Sequence, residues 1–210
     1  MKNFTLTLLS LFLYAGLIAQ TASITSNPGT SGNIVIGGSN YHVSESIFLD
    51  SEVGAGNFLS AATAINHIDF NCNAIGTGST TIAAPNFKIY LKEVPATTTT
   101  LATGVYSTTG YTLVYSGVYN YPAVGWQGVD LTTTYVRTPG TNLQVLIERA
   151  DNIVHTGNVF NASTGNTVAG GTALTTRRYN AAAAPVSGTT SLTQSNFRPQ
   201  IQIRHIFAND

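Results

Sequence analysis

The chain has 210 residues, of which only 9% are charged, with nine Lys and Arg balancing nine Asp and Glu. Average soluble proteins carry about 25% charged residues. So sparse and balanced a charge set argues against nucleic acid as a partner, because phosphate binding needs clustered Lys and Arg. A hydrophobic content of 43% argues equally against charge-driven disorder.

The N-terminus carries Lys2, then an apolar run over residues 4–18, then the small residue Ala19. That run is shorter than the roughly 20 residues needed to span a bilayer. A polar run over 21–32 follows, with no stop-transfer pattern. Residues 1–19 therefore read as a signal peptide, and no membrane span remains after its cleavage. About 190 residues are left, enough for one β-domain. Residues 20–32 read as a polar leader or a loosely attached first strand. Residues 33–206 read as the domain itself, and 207–210 as a short tail.

Within the domain the dominant period is two. Phe87-Lys88-Ile89-Tyr90-Leu91-Lys92, Leu143-Gln144-Val145-Leu146-Ile147-Glu148 and Ile201-Gln202-Ile203-Arg204 alternate apolar and polar side chains. Such alternation predicts antiparallel strands with one face on a core and one in water. Further strands are expected at 33–36, 41–49, 65–72, 111–119, 126–131, 159–162 and 174–179, all rich in β-branched and aromatic residues. Gly clusters at 37–40, 54–57 and 76–79 and Pro85, Pro122, Pro139 and Pro185 mark connections. Residues 97–100 are a Thr tract that reads as a loop. Ala181–Ala184 is too short for a helix before Pro185. The expected fold is all-β: a single antiparallel β-sandwich, jelly-roll-like, of about nine or ten strands.

The single cysteine, Cys72, excludes an intramolecular disulfide. It falls in phase with Ile68 and Phe70, as a buried small hydrophobe does. No Gly-x-Ser-x-Gly elbow, His-Glu-x-x-His zinc motif or dinucleotide glycine pattern is present. The chain is therefore expected not to be an enzyme, although spatial triads leave little trace in a sequence. A small secreted hydrolase remains the least favoured alternative, with His67 or His155 as its base.

Asp50 and Glu52, beside a glycine-rich turn, are candidate oxygen ligands for a structural calcium ion. The competing reading is a solvated acidic turn, which is preferred, and no other cofactor is expected. His67 and Asp69 share a strand face and could meet one metal ion; a plain solvent face is the preferred reading. Glu45 and Arg198 are candidates for a structural ion pair. Arg177 and Arg178, adjacent on a strand, point to opposite faces and cannot form one clamp. Tyr119, Tyr121 and Trp126 are the candidate ligand-binding residues, as a platform on which a glycan could stack. Core filling is the preferred alternative for these rings.

The run Tyr41-His42-Val43-Ser44-Glu45-Ser46-Ile47-Phe48-Leu49-Asp50-Ser51-Glu52-Val53-Gly54 resembles the opening of the exported β-sandwich accessory module of Bacteroidetes type IX-secreted surface proteins. The runs at 87–92 and 114–117, Gly125-Trp126, and the runs at 142–148, 176–180 and 197–201 follow in the order usual for that family. The resemblance implies export and a non-catalytic role in adhesion or surface and matrix interaction, with a glycan or a surface protein as partner. Family members usually carry a C-terminal sorting domain; with none after the sandwich in this sequence, the expectation is a fragment of a longer protein, retention in the periplasm or another export signal. Secretion or cell-surface display is thus the expectation, with the periplasm as the alternative.

Overall fold

A computed structural model describes residues 20–25, 28–31, 34–54, 63–76, 82–164 and 175–207. The expected signal peptide lies outside the described residues, as do 55–62, 77–81 and 165–174, which hold much of the Gly-rich punctuation.

In chain order the elements are β1 (Gln20–Ile24), β2 (Pro28–Ser31), β3 (Tyr41–Phe48), α1 (Asp50–Val53), β4 (Thr63–Ala74), β5 (Ala83–Pro95), β6 (Gly104–Val105), β7 (Thr112–Asn120), β8 (Gly125–Arg137), β9 (Thr141–Arg149), β10 (Val159–Thr164), β11 (Arg177–Ala182), β12 (Ser191–Ser195), β13 (Phe197–Pro199) and β14 (Ile201–Phe207). They form two seven-stranded sheets. The first runs β1-β14-β4-β10-β13, with β2 on β10 and β8 on β4. The second runs β6-β12-β11-β3-β9-β5-β7. The class is the expected antiparallel sandwich, with more strands than the periodicity suggests. The extra ones include β6 and β12, whose short sequences show no clear period and become strands by pairing. β1 lies within residues 20–32, read as a leader or a loosely attached first strand, and runs antiparallel to β14, with Ile24 opposite Ile201.

The core lies between the sheets. Ile68, Phe70 and Cys72 of β4 and Ile201 and Ile203 of β14 meet Phe87, Ile89 and Leu91 of β5 and Leu143, Val145 and Ile147 of β9. Burying each large side chain contributes about 1.5–3 kcal/mol. Cys72 is buried in phase with Ile68 and Phe70, as expected, and burial pushes its thiol pKa up.

Residues 34–36 form a turn rather than the expected strand. Ile34, Val35 and Ile36 are all buried, and three successive buried side chains do not fit an alternating strand. The chain leaves this turn at Gly37, φ +70°, where a Cβ would collide with the His42 ring.

A second departure matters more. Gln144 and Glu148 of β9 were expected in water but are only 6% and 8% exposed. The connection from β5 to β7, residues 96–111, lies across the outer face of the second sheet. Val43, Leu146 and Leu192 form a small apolar cluster there, with Tyr90, Tyr106, Tyr111 and Val186 packed on it. The covering segment is tied down along its length. Asn142 Nδ2 donates to Ala96 O at 3.1 Å and Thr98 O at 2.8 Å. Leu101 N donates to Thr175 O at 2.9 Å, and Gln194 Nε2 to Leu101 O at 2.7 Å. Tyr106 N donates to Thr190 O at 2.9 Å. No helix among the described residues is long and apolar enough to cross a membrane.

Candidate functional site

Strand register builds the site on this covered face. Arg178 of β11 stands opposite Glu45 of β3, Glu45 opposite Leu146 of β9, and Leu146 opposite Tyr90 of β5. One flanking row places Val43, Glu148 and Lys88 side by side; the other places Ile47, Gln144 and Lys92. The outward side chains of adjacent strands therefore supply two buried carboxylates, each beside a cation.

Each carboxylate is held by a cation from its own sheet and a tyrosine from the covering segment. Arg178 Nε donates to Glu45 Oε2 at 2.6 Å, and the Tyr111 hydroxyl donates to Glu45 Oε1 at 2.7 Å. Lys88 Nζ donates to Glu148 Oε1 at 2.9 Å. The Tyr106 hydroxyl donates to Glu148 Oε2, and Tyr90 reaches the same oxygen at 3.3 Å. Burial, then the Glu45 charge, pushes the Tyr111 phenol far above its ordinary pKa. Burial, then the hydrogen bond to Glu148, does the same to Tyr106. Both rings stay protonated donors, and charge-assisted bonds of this kind are the strong ones.

Beside this network opens a cleft of about 480 Å³. Glu45, Gln144 and Arg178 line it from the sheet side, where Lys92 adds a cation, and Tyr111 closes it from the end of the covering segment. The covering segment contributes Thr98, Thr100, Ser107 and Thr109, with Leu101 and Ala102 as the apolar part. Lys92 Nζ sits 5.3 Å from the centroid of the Tyr111 ring. Arg178 Nη1 donates to Ala102 O at 3.2 Å, and glycine at 104 leaves room for that guanidinium, since a Cβ would press on Nη1. The volume suits a small molecule or one to two sugar rings, and the lining offers hydroxyls, an amide and cations.

The sequence candidates fall elsewhere. Tyr119 and Tyr121 are both 0% exposed. Tyr119 stacks on Phe87 at 4.8 Å and meets Phe70 edge-on at 5.9 Å. These rings fill the sandwich interior, so the three-ring glycan platform does not form; large flat side chains go to the core before they go to a loop. Trp126 is half-buried, with its backbone opposite Asn71 on the first sheet.

Asp50 and Glu52 do not converge on a shared site. Asp50 accepts from Arg137 Nη2, and Glu52 Oε1 accepts from Arg198 Nη2. Glu52 Oε2 also accepts from Leu49 N at 2.8 Å, closing the first turn of α1. Both carboxylates are occupied by arginines buried at 2% and 0% exposure, a correction to their reading as calcium ligands. The expected pair of Glu45 and Arg198 is corrected too: Glu45 meets Arg178, its cross-strand neighbour, and Arg198 meets Glu52. Arg177 and Arg178 do face opposite ways. Arg177 is buried, donates to Ser44 Oγ at 2.7 Å and lies 4.1 Å from the centre of the Tyr179 ring. Burial pulls its pKa down to about 9.

His67 and Asp69 do share a face, and Asp130 of β8 joins them. His67 Nε2 lies 3.0 Å from Asp69 Oδ1 and Nδ1 lies 2.6 Å from Asp130 Oδ1. Gly128 makes room, because a Cβ there would strike the Asp69 carboxylate. With an acid on each nitrogen the ring is favoured as imidazolium, and Asp69 is the main cause of its raised pKa. Among the described residues no group of three or more His, Cys, Asp or Glu is placed to hold a metal ion.

His155 sits in a buried chain. Its Nε2 lies 2.8 Å from Asp151 Oδ2 and its Nδ1 2.6 Å from the Tyr121 hydroxyl, which Asn158 Nδ2 approaches at 3.4 Å. Arg149 pairs with the other Asp151 oxygen and donates to Ile36 O at 2.7 Å and Ile153 O at 2.8 Å. The chain locks the 34–40 turn to the end of β9.

Sequence reasoning missed Lys92, Gln144, Ser107, Thr109 and the pairing of Glu45 with Arg178 as one site. The only signal was polar residues at outward positions of several strands, and it converges only once the strand order is known. No family model matches the chain, and no curated protein matches it.

Proposed function

We propose that the chain is an exported, non-catalytic β-sandwich module that binds saccharides of a cell surface or matrix, and that the cleft beside Glu45 and Arg178 is its binding site. The observation that carries this reading is the cleft itself: hydroxyls and cations arranged over a covering segment tied down at Ala96, Thr98, Leu101 and Tyr106. A polyhydroxylated ligand exchanges water for such donors and acceptors, and fixed side chains cost little ordering on binding. The resemblance to type IX-secreted accessory modules supports export and an adhesive role. Enclosure of the Asp151–His155–Tyr121 chain supports a non-catalytic role, since His155 is 1% exposed and its partners' side chains are buried.

The test is binding of the purified chain to a broad polysaccharide array, alone and as Thr100→Trp and Thr109→Trp variants that fill the cleft from its rim. Saturable binding by the parent that both variants lose is expected. Undiminished binding by both folded variants would move the site elsewhere. An array blank for the parent chain would overturn the saccharide reading and turn the search to protein partners.

A further inference from the structure

We infer that the cleft selects acidic saccharides and that Lys92 is the residue that reads their charge; this rests on the saccharide reading above. The cleft lining carries two cations, Lys92 and Arg178, and one anion, Glu45, a surplus of one positive charge. The two cations are not equivalent. Arg178 is committed, with Nε on Glu45 and Nη1 on Ala102 O. Glu45 is committed in turn, its two oxygens taken by Arg178 and Tyr111. Among the described residues Lys92 forms no ion pair with an acid, and its ammonium lies over the Tyr111 ring and beside Gly110.

This isolation contrasts with how the protein treats its other charges on that face. Lys88, four residues earlier on the same side of β5, is paired with Glu148. In a chain with 9% charged residues and a formal net charge of zero, a cation left unneutralised in a concave polar site is an open valence for an anion. Around it stand Thr98, Thr100, Ser107 and Thr109, whose hydroxyls both donate and accept. A carboxylate or sulfate on a sugar supplies the missing charge, and its ring hydroxyls match the threonine and serine rim. The ammonium acts as a point charge on a flexible stem, so it takes either anion without demanding bidentate geometry. Exposed charges act within a Debye length of about 8 Å at physiological salt, so the contact must be local to the cleft.

The test uses calorimetric titration of the purified chain with oligogalacturonate, oligomannuronate and a sulfated galactan oligomer, each beside its uncharged counterpart. At least one acidic oligomer is expected to bind about tenfold or more tightly than its neutral partner, the worth of one charge-assisted hydrogen bond. That preference should shrink with added salt. Lys92→Met keeps the stem against Tyr111 and should bring acidic and neutral ligands level, whereas Lys92→Arg should keep the preference. Equal binding of each acidic and neutral pair, or a preference that survives Lys92→Met, overturns the inference and leaves the saccharide reading standing. Absence of binding by every oligomer, charged and neutral, overturns both.

Discussion

The Tyr111 hydroxyl sits 2.7 Å from Glu45 Oε1, joining the covering segment to the central strand of the second sheet. Glu45 is 2% exposed, so water cannot replace that donor. Tyr111→Phe keeps the ring and deletes the bond, leaving a buried carboxylate oxygen short of a partner. The expected loss is about 1–3 kcal/mol in urea unfolding. Ser107→Ala, on the exposed rim, should change stability by about 0.5 kcal/mol or less. Equal midpoints for the parent and Tyr111→Phe would mean the covering segment is not held by this contact.

Tyr121 offers a second test, because the core and platform readings predict opposite results. As a core residue hydrogen-bonded to His155, Tyr121 loses that bond on Tyr121→Phe, which leaves a buried ring nitrogen short of a partner and should cost about 1–3 kcal/mol. Tyr119→Ala opens a cavity among Phe70, Phe87 and Phe160 and should cost about 3–5 kcal/mol. Tyr121→Phe should leave saccharide affinity unchanged while lowering the unfolding midpoint. Lost affinity at an unchanged midpoint would restore the tyrosine platform.

The sandwich was legible where chemistry alternated. Residues 87–92 and 201–204 read correctly because each apolar side chain faces the core and each polar one faces away. Residues 143–148 alternate except at Leu146, an apolar side chain in the outward row, and β9 is buried on both sides. Alternation distinguishes the two faces of a strand; it does not say whether a distant segment covers the outer one. Here residues 96–111 do so, and their polar, Thr-rich sequence gives no sign of docking. The same limit hid the ion pairs. Glu45 and Arg178 are 133 residues apart, and only the β3–β11 register brings them together. The disposition of Arg177 and Arg178, by contrast, follows from local strand geometry and was readable from adjacency alone.

Glu52 and Arg198 give a third prediction. Arg198 is buried over the Phe48 ring at 4.6 Å and also donates to Ile47 O at 2.6 Å. Arg198→Met would leave Glu52 without its cation and should destabilise the fold by about 3–5 kcal/mol. Because Arg137 and Arg198 already satisfy Asp50 and Glu52, millimolar calcium and excess chelator should give the same thermal midpoint. A calcium-dependent rise in that midpoint, abolished by Asp50→Asn, would reinstate the acidic turn as a metal site.

Two histidines should set opposite pH slopes. His67 has its pKa raised above 6.5, chiefly by Asp69 and less by Asp130 despite the shorter contact. Asp130 has an 86% exposed side chain, so water screens it more than the 15% exposed Asp69. The folded state thus holds the His67 proton more tightly than the unfolded chain does. Its contribution is complete below about pH 6.5 and is lost as pH rises through the folded value. His205 behaves in reverse: burial, then the Arg137 charge, lowers its pKa to about 4. Its contribution is complete above pH 6.5 and is lost as pH falls toward 4, because the unfolded chain takes up a proton that the folded one refuses. Each proton contributes a slope of at most about 1.4 kcal/mol per pH unit. Stability should therefore peak near the ordinary histidine pKa. Thermal melts from pH 4 to 9 should show His67→Gln flattening the alkaline side and His205→Gln the acid side. An alkaline slope unchanged in His67→Gln would show that the bridge between β4 and β8 does not form.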